Sequence, residues 1–297
     1  MRGLLICLCA VMAFLCVDVA GLHAAAIEVF VSILPQAYFV KRVGGPLVHV
    51  NVLVGPGQSP VTYEPSPRQM ADLGNAALYF RIGTPFEEGF IDTIARNFPR
   101  LRIVDTRTNI TLLYFDEKEQ GGRADPHIWL DPGRGKIQAR TICDALADVD
   151  PEHTDRYRKN LAGFEEDLDN LHEKIAKILK PLRGRTLFVF HPAFGYFAHT
   201  FGLRQVAVET GGKEPSPKQL ARLIDGARKD GVKVIFVQPQ FSKHYAEVIA
   251  REIGGAVVPM DPLPENYMRS LEEMAEVIRL AQAHEREKAT PSEGKNH

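Results

Sequence analysis

The sequence PEHTDRYRKNLAGFEEDLDNLHEKIAKILK, residues 151–180, lies in the middle of the chain and decides how the rest is organised. Its apolar residues recur at alternating steps of four and three, which places them on one face of a single helix. They are Tyr157, Leu161, Phe164, Leu168, Leu171, Ile175 and Ile178. A helix of this span is about 45 Å long. We therefore predict that residues 150–182 form one rigid helix joining two halves of the chain; a helix buried within one domain is the alternative.

Short apolar runs alternate with helical stretches on both sides of this helix. The predicted strands are residues 29–34, 48–54, 77–80 and 101–104 in the first half, and 186–190, 205–208, 234–237 and 256–259 in the second. Strands that alternate with helices form a parallel sheet covered on both faces. The predicted fold class is therefore α/β, with one lobe over residues 27–149 and a second over residues 183–285.

A short motif occurs once in each half. EPSPRQM at residues 64–70 returns as EPSPKQL at residues 214–220. In both copies the serine is a predicted N-cap, the following proline occupies the first helical position, and the glutamine completes a capping box. Capping chemistry alone is one explanation of the repeat, and a duplicated βα lobe is the other.

The N-terminus has the pattern of a secretory signal peptide. Arg2 precedes an apolar run, and three alanines end at Ala26, where we predict cleavage. A retained anchor is the alternative, and lipid attachment at Cys16 fits poorly because Phe14 and Leu15 precede it. Removal of residues 1–26 leaves Cys143 as the single cysteine, so the exported protein depends on its core rather than on disulfides.

Composition and motifs exclude several classes of protein. The chain has 297 residues and a formal net charge of −1, so it has no excess of positive charge for binding nucleic acid. The sequence contains no His-Glu-x-x-His helix, no phosphate-binding loop and no Gly-x-Ser-x-Gly elbow. The final residues, 286–297, form a predicted polar tail.

Three segments place a side chain that can bind metal next to a proline. They are DPHIWLDP at residues 125–132, HPAFGYF at residues 191–197 and DPL at residues 261–263. His191 and Asp261 follow predicted strands, where ligands of parallel sheets collect, and His127 lies on the loop that leaves the first lobe. Each residue alone is more often an ordinary loop residue. Together, two imidazoles and a carboxylate are a plausible shell for a divalent transition metal.

These segments and the long helix resemble those of the cluster A-I solute-binding proteins of ABC transporters, the zinc and manganese receptors. The resemblance covers about residues 27–280. It implies two (βα)₄ lobes with parallel sheets, joined by a rigid backbone helix, with the metal buried between them. It also implies His127, His191 and Asp261 as metal ligands, Zn²⁺ as transported cargo with Mn²⁺ as the alternative, a membrane permease as partner, and a periplasmic location. We expect a monomer that is not an enzyme.

The sequence departs from the family at one ligand. The family usually has a histidine in a Pro-His-x-Tyr-Glu-Pro segment, and here Val61 occupies its position. Water is our preferred occupant of the open coordination position, and Gln58 or Glu64 are alternatives. The segment at residues 115–124, where many zinc receptors carry a histidine-rich loop, contains no histidine.

Two other functions remain open from the sequence. A relative with a degraded metal site would bind another ligand or a partner protein, and Val61 is the reason to consider it. A metallohydrolase would also use three protein ligands and a water, although no general base is evident beside the motifs.

Overall fold

A computed structural model describes residues 26–115, 122–209 and 213–289. The predicted signal peptide, apart from Ala26, lies outside these ranges, as do most of the histidine-free segment and residues 290–297 of the predicted tail. Within these ranges, no helix combines the length and apolar character that crossing a membrane requires.

The first lobe is a parallel four-stranded sheet with the order β2-β1-β3-β4. Its strands are β1 (Ile27–Ile33), β2 (Val48–Val54), β3 (Leu78–Arg81) and β4 (Arg102–Asp105). Its helices are α1 (Leu34–Gly44), α2 (Pro67–Leu73), α3 (Pro85–Asn97) and α4 (Pro132–Val149). The strand order places a crossover next to β1, and ligands of open parallel sheets bind at such points, beyond the carboxyl ends of the strands.

The long helix, α5 (Thr154–Leu179), follows the first lobe. Short 3₁₀ turns at Pro151–His153 and Lys180–Leu182 flank it, so the predicted helix is divided into three pieces at its two prolines. Its apolar stripe is buried except at Leu161 and Ile178, which are partly buried. It packs against α1, α4 and the C-terminal helix in a core that continues into the second lobe. The helix is therefore both a bridge between lobes and part of their shared core.

The second lobe repeats the topology of the first, with a parallel sheet of order β6-β5-β7-β8. Its strands are β5 (Thr186–Val189), β6 (Arg204–Ala207), β7 (Val234–Val237) and β8 (Ala256–Pro259). Its helices are α6 (Gly195–Phe201), α7 (Pro217–Lys229), α8 (His244–Glu252) and α9 (Tyr267–Ala289). The last helix includes residues 286–289, which the sequence assigned to the tail.

Two parallel four-stranded sheets and one long helix confirm the predicted fold class. Both predicted capping boxes form: Ser66 and Ser216 accept from the backbone amides of Gln69 and Gln219, whose side chains accept from the serine amides in return. Matching strand orders and matching caps favour the explanation that the two lobes share one βα plan.

Candidate metal centre

The structure brings His127 and His191 together in a cavity between the lobes. His127 precedes the 3₁₀ turn Ile128–Leu130, and His191 lies two residues after β5. Their ring centroids are 5.3 Å apart, with an angle of 73° between the ring planes. Both line the same cavity of about 260 Å³. Two imidazoles from distant parts of the chain thus lie together where the carboxyl ends of the strands of the two sheets face each other.

A buried carboxylate fixes each imidazole. Asp125 Oδ1 lies 2.6 Å from His127 Nδ1, and Glu209 Oε1 lies 3.0 Å from His191 Nδ1. Both acidic residues are almost completely buried. An ionised carboxylate only accepts hydrogen bonds, so in the neutral form of each ring Nδ1 carries the proton and Nε2 has a free lone pair. This carboxylate–histidine arrangement is the one that orients imidazoles in metal sites.

The surroundings of His191 favour the neutral form of its ring. Burial lowers the pKa of His191 below its ordinary value, and the nearby ring of His127 lowers it further, while the hydrogen bond to Glu209 opposes the change. A neutral imidazole is the form that coordinates a metal.

Contacts between the lobes hold the loop that carries His127. The Trp129 indole donates to the carbonyl of Pro262 at 2.6 Å, and the Tyr196 hydroxyl donates to the Asp125 carbonyl at 2.9 Å. The backbone amide of Leu113 in turn donates to the Tyr196 oxygen. A Cβ at Gly195 would lie 2.6 Å from Asp125 Oδ2, so this close approach requires glycine. The His127 loop is therefore fastened directly to the second lobe.

The second lobe also supplies an aromatic support for His191. Phe241 stacks on the His191 ring with centroids 4.7 Å apart and an interplanar angle of 19°. The backbone amide of His191 donates to Gln238 Oε1, which fixes the main chain beneath the ring. Stacking and hydrogen bonding together restrict the ring to one orientation.

Asp261, the third predicted ligand, lies near this cavity but does not line it. Its side chain is exposed, and Oδ1 accepts from the amide of Leu263 and from Gln240 Nε2, both at 3.0 Å. Its neighbours Pro262 and Leu263 do line the cavity. Among the residues that the structure describes, no three His, Cys, Asp or Glu side chains are clustered as a metal site.

Val61, where the sequence predicts an open coordination position, lines the cavity. The two alternative ligands, Gln58 and Glu64, do not line it. Gln58 Oε1 accepts from the amide of Gly55 at 2.7 Å within its own turn, and Glu64 is exposed to solvent. Val61 itself is held by Ser59, whose hydroxyl accepts from the Val61 amide. In this arrangement neither Gln58 nor Glu64 reaches the imidazoles.

Sequence reasoning missed the roles of Asp125 and Glu209. Asp125 accepts from the His127 amide as well as from the ring. Glu209 follows β6, the strand beside β5, so its position at the same sheet edge as His191 was a signal in the sequence.

Comparison with known proteins identifies the family of this chain. The profile of the family described as "Zinc-uptake complex component A periplasmic" (ZnuA) matches residues 29–281. A "putative metal-binding protein" of Chlamydia muridarum is 31% identical over 252 residues, which cover 82% of this chain and 87% of that protein. The "zinc-binding lipoprotein AdcA" of Streptococcus pneumoniae is 26% identical over 278 residues, covering 85% of this chain and 55% of the lipoprotein.

Solved structures share the two-lobe fold. A crystal structure of ZnuA superposes with a TM-score of 0.82 at 41% identity, covering 86% of this chain and 99% of that one. The laminin-binding protein of Streptococcus agalactiae, described as having adhesin and metal-transporting activity, gives a TM-score of 0.77 at 26% identity, with coverage of 86% and 99%. The family match spans nearly the whole described chain, and the resemblance inferred from the motifs is confirmed. This chain belongs to the ZnuA family, the periplasmic A component of zinc-uptake complexes.

Proposed function

We propose that this protein is a periplasmic receptor that captures one divalent transition metal and delivers it to the membrane permease of an ABC importer. The observation that carries the proposal is the pair of imidazoles, His127 and His191, each with a carboxylate on Nδ1 and a free Nε2. Asp125 and Glu209 are engaged in holding these rings, which leaves them poorly placed to serve as the general base of a hydrolase.

Zinc is the proposed cargo, in preference to manganese. Imidazole nitrogen suits zinc, whereas magnesium and calcium take mostly oxygen ligands. Manganese binds more weakly than zinc to a given nitrogen-containing site. The family and the named zinc-binding relative support the same choice.

Asp261 is the proposed third ligand. Its Oδ1 is bonded to Gln240 and Leu263, and a carboxylate has a second oxygen with which to reach a metal. Pro262 and Leu263 already line the cavity, and the proposal requires a local rotation that turns the Asp261 carboxylate toward the imidazoles. Capture would then place the second oxygen of Asp261 on the metal.

The test is the metal content and stoichiometry of the exported protein. Protein freed of metal with a chelator should bind one zinc per chain at neutral pH, measured by calorimetry and elemental analysis, and bind manganese more weakly. Absence of zinc binding at neutral pH would contradict the proposal.

We predict that Val61→His raises zinc affinity at least tenfold. Val61 lines the cavity with both histidines, so an imidazole there adds a nitrogen donor to a tetrahedral metal that otherwise takes water. Competition titration against a zinc indicator measures the change. Val61→Leu, which fills the space without a donor, is the matched control. An unchanged affinity in Val61→His would favour the alternative that the site serves another ligand or a partner protein.

We predict that zinc affinity is constant near neutral pH and falls in acid. A proton competes with the metal for His191 Nε2 only below the pKa of the ring, which burial places under its ordinary value of 6.5. The loss for this ring is about tenfold per pH unit once the solution is below that pKa. Competition titrations between about pH 5 and pH 8 check it. In Glu209→Gln a neutral amide oxygen replaces the charged acceptor that raises the pKa of His191, so protonation of the ring should begin at still lower pH.

The lowered pKa of His191 also determines the direction in which the stability of the metal-free protein changes with pH. The unfolded chain takes up a proton on His191 before the folded chain does, because the folded pKa is the lower one. This ring therefore reduces the free energy of unfolding as pH falls below about 6.5, and has no effect above it.

A further inference from the structure

We propose that the cavity accepts its metal as a one-to-one complex with a small α-amino-acid chelator, which supplies the donor missing at Val61. The inference rests on the proposed function and names its substrate more closely. It follows from the size of the cavity, the apolar character of its wall and the charges at its rim.

The cavity is larger than a metal ion needs. Its volume of about 260 Å³ has room for roughly eight waters at their share of liquid volume, beyond the imidazoles that line it. This volume is below the roughly 300 Å³ at which sites for drug-sized ligands begin, so the space suits only a small chelator. A metal held by His127 and His191 therefore has space for an organic ligand at its side.

Much of the wall around this space is apolar and offers few hydrogen bonds to water. Val61, Pro85, Phe115, Phe241 and Leu263 line it with apolar groups. Apolar surface gains free energy when it packs against carbon rather than water. A chelator with a short carbon skeleton would cover this wall while presenting nitrogen and oxygen to the metal.

The charges on the cavity lining select the kind of chelator. Arg123 and Glu88 both line the cavity, and both are exposed. Arg123 can pair with a carboxylate through its planar fork of donors, whereas Glu88 repels additional negative charge. Glu209 is a second carboxylate on the lining, so beside the single cation Arg123 an amino acid, with one carboxylate, fits better than a polyanion such as citrate.

The experiment measures zinc occupancy at fixed free zinc, with and without L-histidine. Because L-histidine also binds zinc in solution, total zinc is adjusted so that free zinc is equal in every arm. We expect L-histidine to lower the apparent dissociation constant at least tenfold, and native mass spectrometry to detect protein, one zinc and one L-histidine together. Citrate at the same free zinc should give no such gain.

Variants separate the chelator site from the metal ligands. Arg123→Gln should reduce the gain from L-histidine several-fold, and Val61→His should abolish it by occupying the open position. Arg68→Gln is the matched control, because Arg68 lies on α2 with its side chain 92% exposed and does not line the cavity. It should leave the gain unchanged.

The outcomes distinguish this inference from the proposed function. The chelate inference is overturned if the protein binds zinc without a chelator and its zinc occupancy does not depend on L-histidine at fixed free zinc. That result leaves the receptor function intact. Absence of zinc from the protein in every arm overturns both. An equal gain in zinc affinity with citrate overturns the claim that Arg123 and Glu88 select a chelator with one carboxylate.

Discussion

His191→Ala should reduce zinc affinity by more than about 100-fold, the largest loss expected from any single substitution at the site. Removing a residue that only supports a metal-bound histidine typically costs about 10–100-fold, and removing the histidine itself costs more. His191 is also the ring that burial keeps neutral, so its nitrogen is available to the metal without the release of a proton. Calorimetry or competition with a zinc indicator measures the change.

Two further variants make this result interpretable. His191→Ala leaves the buried Glu209 without the ring that it holds, so His191→Gln is a second variant that keeps an amide donor near that carboxylate. Glu209→Gln should give a smaller loss, within about 10–100-fold, because it only loosens the ring. His49→Ala is the matched control, since His49 pairs with Glu28 on the exposed sheet edge with its side chain 63% exposed. Zinc affinity of His191→Ala equal to that of the His49 control would contradict the proposed site.

The fold was predictable because its signals are local and repeated. The stripe from Tyr157 to Ile178 and the two capping boxes each depend on residues a few positions apart, and local patterns of this kind survive in the folded chain. The ends of α5 were less predictable. Pro151 and Pro181 are compatible with a helix start or end, and short 3₁₀ turns form there, as is common at helix ends.

The site was predictable only in part because its geometry depends on contacts between distant residues. Ligands collect at the carboxyl ends of parallel strands, and this rule led us to expect His127 and His191 close together. Both line one cavity. The rule did not predict that Asp125 would accept from both the amide and the ring of His127. Nor does it fix the direction of a side chain such as Asp261, which depends on Gln240 in another loop.

Trp129→Ala should lower the free energy of unfolding by about 3–5 kcal/mol, the range for truncating a buried aromatic residue. Trp129 is 1% exposed in the core shared by the lobes, and its indole is the donor to the Pro262 carbonyl. Since the free energy of unfolding of a protein is typically about 5–15 kcal/mol, this is a large share of it. Chemical denaturation of the metal-free protein measures the change.

Trp129 also joins two loops of the candidate metal site. His127 lies two residues before Trp129, with ring centroids 5.1 Å apart, and Asp261 lies one residue before Pro262. Trp129→Phe keeps most of the ring and removes the donor, so it should cost about 1–3 kcal/mol for the unpaired carbonyl and also weaken zinc binding. Tyr114→Ala, at an aromatic residue 68% exposed, is the control and should change stability by less than about 0.5 kcal/mol. If Trp129→Phe lost stability but bound zinc as tightly as the parent protein, the indole would be a core residue only, and the loops of His127 and Asp261 would be positioned independently of each other.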